Sequence, residues 1–434
     1  MVERDNEDMA MGRVFFTNAM LLDGENAPQS NMTVVVSGNR ITAVARDSEA
    51  PRPESEDQVI PVGGRTLMPG MSTNHFHPSY IDIMYPIEVD MRHPPAYMAY
   101  VAAKNAKIAL MSGFTSAIGA GSPHNIDVSL RDAINTGLLE GPRLTACSVD
   151  MSTSGDMLDH HPYWFQVQSE GLARICDGPE DFRKSVRQFI KTGVDIIKIY
   201  TTAGHGWPGK NPPLTMSFEE QKMVVETAHQ REVKVRSHTC TELGIIVAAD
   251  AGVNIIDHGD ELTDRAIEAM LKAESFLCPS IHVLVASEMR RRAGAQLEKE
   301  FQWVERAFPQ WCEMLPKAQK AGVRILAGDD YGALGLPHGS YANEVEYFVT
   351  LGLSPLEAIK TVTRNAADAM DKLDDLGTIA AGKLADILVV NGDVLADVKI
   401  LQDSNALDVI MKDGAFVVNH LAQDLAASSR ANAA

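Results

Sequence analysis

The chain opens with short apolar runs rich in β-branched and aromatic residues. Val14-Phe15-Phe16-Thr17, Met32-Thr33-Val34-Val35-Val36 and Arg40-Ile41-Thr42-Ala43-Val44 read as strands, punctuated by Gly24, Gly38-Asn39 and Gly63-Gly64. The same texture returns near the other end. Asp386-Ile387-Leu388-Val389-Val390 and Leu407-Asp408-Val409-Ile410-Met411 are apolar strands, and Lys412-Asp413-Gly414 turns into Ala415-Phe416-Val417-Val418. Between these ends the pattern alternates. Apolar runs of strand length lie near 67–75, 114–119, 143–149, 194–201, 232–239, 253–258, 276–283 and 323–329, separated by segments of helical period. Pro95 to Met111 is one such segment. Ser217 to Arg231 opens with a capping-box pattern, Ser217-x-x-Glu220, and Pro355 to Met370 follows the N-cap candidate Ser354. Eight strands, each followed by a helix, predict a (β/α)8 barrel. The two β-rich ends predict one small composite β-sandwich domain, formed by residues 1–66 and 376–434 around a barrel of residues 67–375. No internal repeat interrupts this reading, and Ala426 to Ala434 is expected to fray.

Composition changes this picture little. With 434 residues, 45% of them hydrophobic, the chain can bury a large core. A net charge of −19 speaks against nucleic acid and anionic lipid as partners, since both demand a basic surface. Five scattered cysteines, Cys147, Cys176, Cys240, Cys278 and Cys312, form no Cys-x-x-Cys pair and fit reduced thiols. The acidic start has neither a basic n-region nor an apolar h-region, and no apolar run is long enough to span a bilayer. A cytoplasmic enzyme is the expectation.

The candidate chemistry lies at the predicted strand ends. His75 and His77 close the first strand, and residues two apart on a strand share a face, so both imidazoles can grip one metal ion. His238 follows the fifth strand, His258 the sixth, and Asp330 the eighth. Singly, each reads as a satisfied strand-end histidine or a loop cap; together they read as a ligand set. Lys198 stands among isoleucines in Ile196-Ile197-Lys198-Ile199, where an unpaired ammonium is costly. Either a carboxylate pairs with it, or carbon dioxide converts it to an anionic carbamate. Residue type alone favours the salt bridge, and the surrounding histidines favour the carbamate.

These residues carry a resemblance. Met68-Pro69-Gly70 through His75-Phe76-His77, Asp195 through Ile199, Val235 through His238, Ile256-Asp257-His258-Gly259, Ala327 through Asp330 and Leu376 through Asp386 resemble the motifs of the metal-dependent amidohydrolase superfamily. The likeness covers nearly the whole chain and is greatest to the prolidase-like and imidazolonepropionase-like branch. Thr73 stands where that pattern has Asp, and Gly328-Asp329-Asp330 replaces Gly-Thr-Asp, which makes Asp330 the ligand by alignment and leaves Asp329 as the alternative.

The resemblance implies two divalent metal ions, zinc by default. His75, His77 and Asp330 would hold one, His238 and His258 the other, and carboxylated Lys198 would bridge them. A hydroxide shared by the two ions would attack an amide-type carbonyl, with Asp330 passing its proton to the leaving nitrogen. Dipeptides, N-acyl amino acids or xenobiotic amides are the implied substrates; aryl-urea or carbamate hydrolysis, lactone hydrolysis and mononuclear deamination are alternatives. A non-catalytic scaffold is disfavoured because every ligand position is filled. Tyr200, His205, Arg236 and His161 are the candidate substrate contacts, with Asp257 as the alternative partner of Arg236, and a homo-oligomer is expected.

Overall fold

The computed structural model describes residues 12–162, 164, 171–204, 213–294, 296 and 303–421. The two ends of the chain meet in one eight-stranded sheet. Its order runs Ala415–Asn419, Leu407–Lys412, Ile387–Val390, Thr66–Pro69, Val14–Leu21, Gln29–Ser37 and Arg40–Arg46, with Gln58–Pro61 pairing alongside Val14–Leu21. Strand periodicity explains why Ile387–Val390 is apolar throughout. Ile387 and Val389 enter a small core with Phe16, Val34 and Ile60, while Leu388 and Val390 point the other way into the main core.

The barrel strands are β1 (Met71–Phe76), β2 (Phe114–Gly119), β3 (Arg143–Thr145), β4 (Ile196–Tyr200), β5 (Lys234–Thr239), β6 (Ile255–His258), β7 (Phe276–Cys278) and β8 (Arg324–Ile325). All neighbouring pairs are parallel. Two seams close the circle. Cys147, just beyond β3, bridges to Ile196 of β4, and the Asn74 N–H donates to the Ala327 carbonyl beyond β8 at 2.9 Å. Ile118, Cys147, Ile196, Ile255, Phe276, Cys278 and Leu326 form an apolar cluster of their own below the chemistry. A (β/α)8 barrel beside a β-domain is therefore the fold, as the alternating pattern predicts.

Two local features depart from the sequence reading. Beyond β3 the chain adds the strands Asp150–Ser152 and Ala173–Ile175, which pair with each other, and Met151 pairs with Ile199 of β4. The helix expected over Pro355 to Met370 breaks into Pro355–Val362 and Arg364–Ala369 at Thr363, whose φ of −124° and ψ of −94° are not helical. At this break the Thr361 carbonyl accepts the Asn74 side-chain amide at 3.1 Å, a tie to β1 that an unbroken helix would spend on its own ladder.

Candidate metal centre

Strand register places the candidate residues. Lys198 pairs with Arg236, and Tyr200 with His238, which pairs in turn with Asp257. Parallel partners share a face, so all five point into the barrel. His258 pairs with Thr239 and by alternation would point outward. Its φ of +68° turns the backbone at the end of β6, and its imidazole joins the others. The ring centroids of His75 lie 5.0 Å from His77 and 5.2 Å from His258, and His238 lies 4.5 Å from His258. All four histidines are buried.

Asp330 completes the cluster. Its Oδ1 sits 3.1 Å from His75 Nε2 and 3.3 Å from His77 Nε2. Burial alone would raise its pKa, yet His75, His77 and His258 hold it well below the usual carboxylate range. Asp329 faces elsewhere. Its carboxylate accepts the Asp330 N–H at 2.7 Å and the Val283 N–H at 3.1 Å, so it shapes the loop that presents Asp330. Glu344 holds the same loops from below, accepting N–H groups of Gly328 and Ile281.

The donor set suits a divalent cation. Burial pulls His77 down to about 4, so its ring is neutral at neutral pH. A carbonyl can only accept, so the 3.0 Å contact with the Gly121 oxygen puts the proton of His77 on Nδ1. Nε2 then offers a lone pair 3.3 Å from a carboxylate oxygen, an arrangement that a metal ion between them would relieve. His75 Nδ1 lies 3.2 Å from Arg236 Nη2 and 3.4 Å from Asp257 Oδ1, so the Arg236–Asp257 pair sets the plane of its ring. His75, His258 and Asp330 present ligand atoms within 4.8 Å of one another.

Beneath lies a dry ion network. Lys198 Nζ donates to Asp257 Oδ2 at 2.6 Å, and Arg236 grips the same carboxylate through Nη2 at 2.6 Å and Nε at 3.1 Å. The remaining arm of Arg236 donates to the Gly119 carbonyl at 2.6 Å. All three side chains are fully buried. Against its burial cost, Arg236 and Lys198 hold Asp257 well below the carboxylate range.

The candidate substrate contacts separate. Tyr200 stacks on His238 with centroids 4.4 Å apart and lines a cavity of about 180 Å³. That cavity opens over His238 and Asp330 and is walled by Tyr80, Ile83, Met84, Tyr85, Pro86, Met157, Val283, Trp303, Ala333 and Leu334. Of the two partners open to Arg236, the structure shows Asp257: its guanidinium is taken up by Asp257 and the Gly119 carbonyl, and it is not among the described residues of this cavity. His161 is exposed and is not among the described residues of the cavity wall. His205 lies outside the described residues. Two site residues escaped the sequence reading. Tyr80 stacks on His77 at 4.2 Å, and nothing in its sequence context marks it. Asp150 is fully buried beside β4, and its signal was an acid set between apolar Val149 and Met151.

Comparison with known proteins points the same way. The family model for the amidohydrolase family matches residues 66–417. Ochratoxinase of Aspergillus niger is 26% identical over 421 residues, covering 91% of this chain and 84% of that protein. Imidazolonepropionase of Fusobacterium nucleatum subsp. nucleatum is 25% identical over 209 residues, covering 46% of this chain and 45% of that protein. The crystal structure of a Xaa-Pro dipeptidase with bound methionine in the active site superposes with a TM-score of 0.82 at 27% identity, covering 94% of this chain and all of that one.

Proposed function

Because the chain belongs to the amidohydrolase family, we propose that it is a metal-dependent hydrolase of an amide-type C–N bond. The observation that carries this reading is the convergence of His75, His77, His238, His258 and Asp330 at the C-terminal ends of barrel strands, where such barrels do their chemistry. His75, His77 and Asp330 would hold one divalent ion, and His238 and His258 a second, with Lys198 bridging once carboxylated. Bound ions, zinc by default, would lower the pKa of a water to about 7 and polarise the scissile carbonyl.

The chain's own residues do the rest. The depressed Asp330 carboxylate, partly open to the cavity, takes the proton of the attacking water and delivers it to the leaving nitrogen. Tyr80 and Tyr200 stack on ligand histidines and fix their ring planes. The described wall of the cavity is mostly apolar and aromatic, with Ile83, Met84, Tyr85, Val283, Trp303 and Leu334 on it. This favours a neutral, apolar or aromatic group on the cavity side of the scissile bond. A xenobiotic amide, aryl urea or carbamate fits that wall.

The test is a substrate panel with the zinc-loaded protein: aryl amides, ureas and carbamates beside dipeptides, N-acyl amino acids and lactones, with His75→Ala as the blank. Cleavage of the neutral aromatic members, abolished in the blank and by chelation, is the expected result. Activity confined to free-carboxylate substrates would overturn the substrate reading. No turnover of any member would overturn the bond class.

A further inference from the structure

Between β3 and β4 the pairing slips. Cys147 bridges to Ile196 while Met151 pairs with Ile199, so four steps on one side meet three on the other. The extra residue is a bulge, and it changes which side chains face inward. Val149 and Met151 pack outward into the main core. Asp150 between them therefore turns inward, level with Lys198, whose neighbour Ile199 is the partner of Met151.

Asp150 is fully buried, and among the described residues neither of its carboxylate oxygens has a hydrogen-bond partner. The Lys198 ammonium it neighbours is already bound to Asp257 at 2.6 Å. Only a glycine fits opposite: a Cβ on Gly121 would stand 2.0 Å from Asp150 Oδ1. That same Gly121 offers its carbonyl to His77 at 3.0 Å. The carboxylate thus lies between the backing of one candidate ligand and the bridging lysine. Burial drives its pKa well above the usual range, with Lys198 the largest opposing charge. A buried, unpaired carboxylate costs several kcal/mol on general grounds, roughly as for any desolvated ion. Lys198 and Arg236 offset part of that burial by charge alone, and no described side chain gives either oxygen a hydrogen bond.

We propose that Asp150 supplies a further carboxylate to the metal centre, facing the ions held by the histidines and Asp330. The proposal rests on the metal-dependent reading above. Charge balance supports it. Asp257 is matched by Arg236 and drops out of the count. Two divalent ions bring four positive charges; Asp330, carboxylated Lys198 and an ionised water offset three. Asp150 offsets the fourth, which leaves a neutral centre in a site that water does not screen.

Zinc binding tests this without reference to turnover. Zinc content and affinity, by chelator competition, would be measured for the wild-type protein, Asp150→Asn, Asp150→Ser and His75→Ala, together with the Tm of each metal-free form. The expected result is a loss of zinc affinity of about tenfold or more in both Asp150 variants. Their metal-free Tm should be unchanged or higher, because the group removed is a buried carboxyl without a hydrogen-bond partner. Unchanged zinc affinity alongside a loss in His75→Ala would overturn the role of Asp150 and leave the metal reading standing. A lower metal-free Tm in both variants would overturn it too, making Asp150 a structural partner of Lys198. A wild-type protein that takes up no zinc would overturn the metal reading itself.

Discussion

The residue with the greatest energetic leverage is Asp257, which binds no candidate substrate. In the metal-free protein, with Lys198 as its ammonium, it neutralises two buried cations at once, Lys198 and Arg236. Removing one partner of a buried pair leaves an uncompensated charge, at a cost of about 3–5 kcal/mol. Asp257→Asn should therefore lower the urea midpoint far more than a surface Asp→Asn change, and an unchanged midpoint would show that the network contributes little. Asp330→Asn makes the opposite prediction. Asp330 is partly open to the cavity, so its loss should leave the fold intact and reduce turnover by at least about 100-fold, the scale of a lost general base. Circular dichroism and single-turnover rates separate the two cases.

At the scale of elements, glycine and capping geometry set the tolerances. Gly328 lies where the run after β8 crosses β1, and a Cβ there would stand 2.3 Å from the His75 backbone nitrogen. Gly328→Ala must push apart the seam that carries His75, costing about 1–3 kcal/mol as overpacking and most of the activity. Fluorescence-monitored unfolding and zinc-loaded turnover would measure both. The helix Phe218–His229 starts with a complete capping box between Ser217 and Glu220. Ser217→Ala should cost about 1 kcal/mol with turnover unchanged, read from the same unfolding curves. This is also the scale at which the sequence was most legible. Strand positions, the capping box and the strand-end histidines follow from periodicity and residue type, which act locally. The bulge before Asp150, the positive φ of His258 and the break at Thr363 depend on pairing with distant strands, and no local pattern encodes them. Arg236 was legible as inward-facing, with Asp257 or a substrate anion as its alternative partners, and the choice between them needed the register of two strands.

At the scale of the whole molecule, the barrel and the terminal sheet are tied by charge as well as strands. Arg143 of β3 reaches Asp386 at 2.8 Å and also contacts Asp413, both on the C-terminal segment. Ile387–Val390 lies between Thr66–Pro69 and Leu407–Lys412, and its alternate side chains enter both cores. A chain ending at residue 385 should therefore fail as a unit, with the barrel losing Leu388 and Val390 and the sheet losing Ile387 and Val389. Recovery of soluble, zinc-binding protein from that truncation would refute this coupling.

The same strand order has a consequence for synthesis. Thr66–Pro69 leaves the ribosome early, while the strand that covers one of its edges is among the last to be made. For most of translation that edge is an open template of unpaired amides beside an apolar stretch, the kind of surface that recruits holdases or a neighbouring nascent chain. The yield of native protein in a cell is thus set by how long one four-residue strand can wait for its partner, and slowing elongation late in the message should lower it.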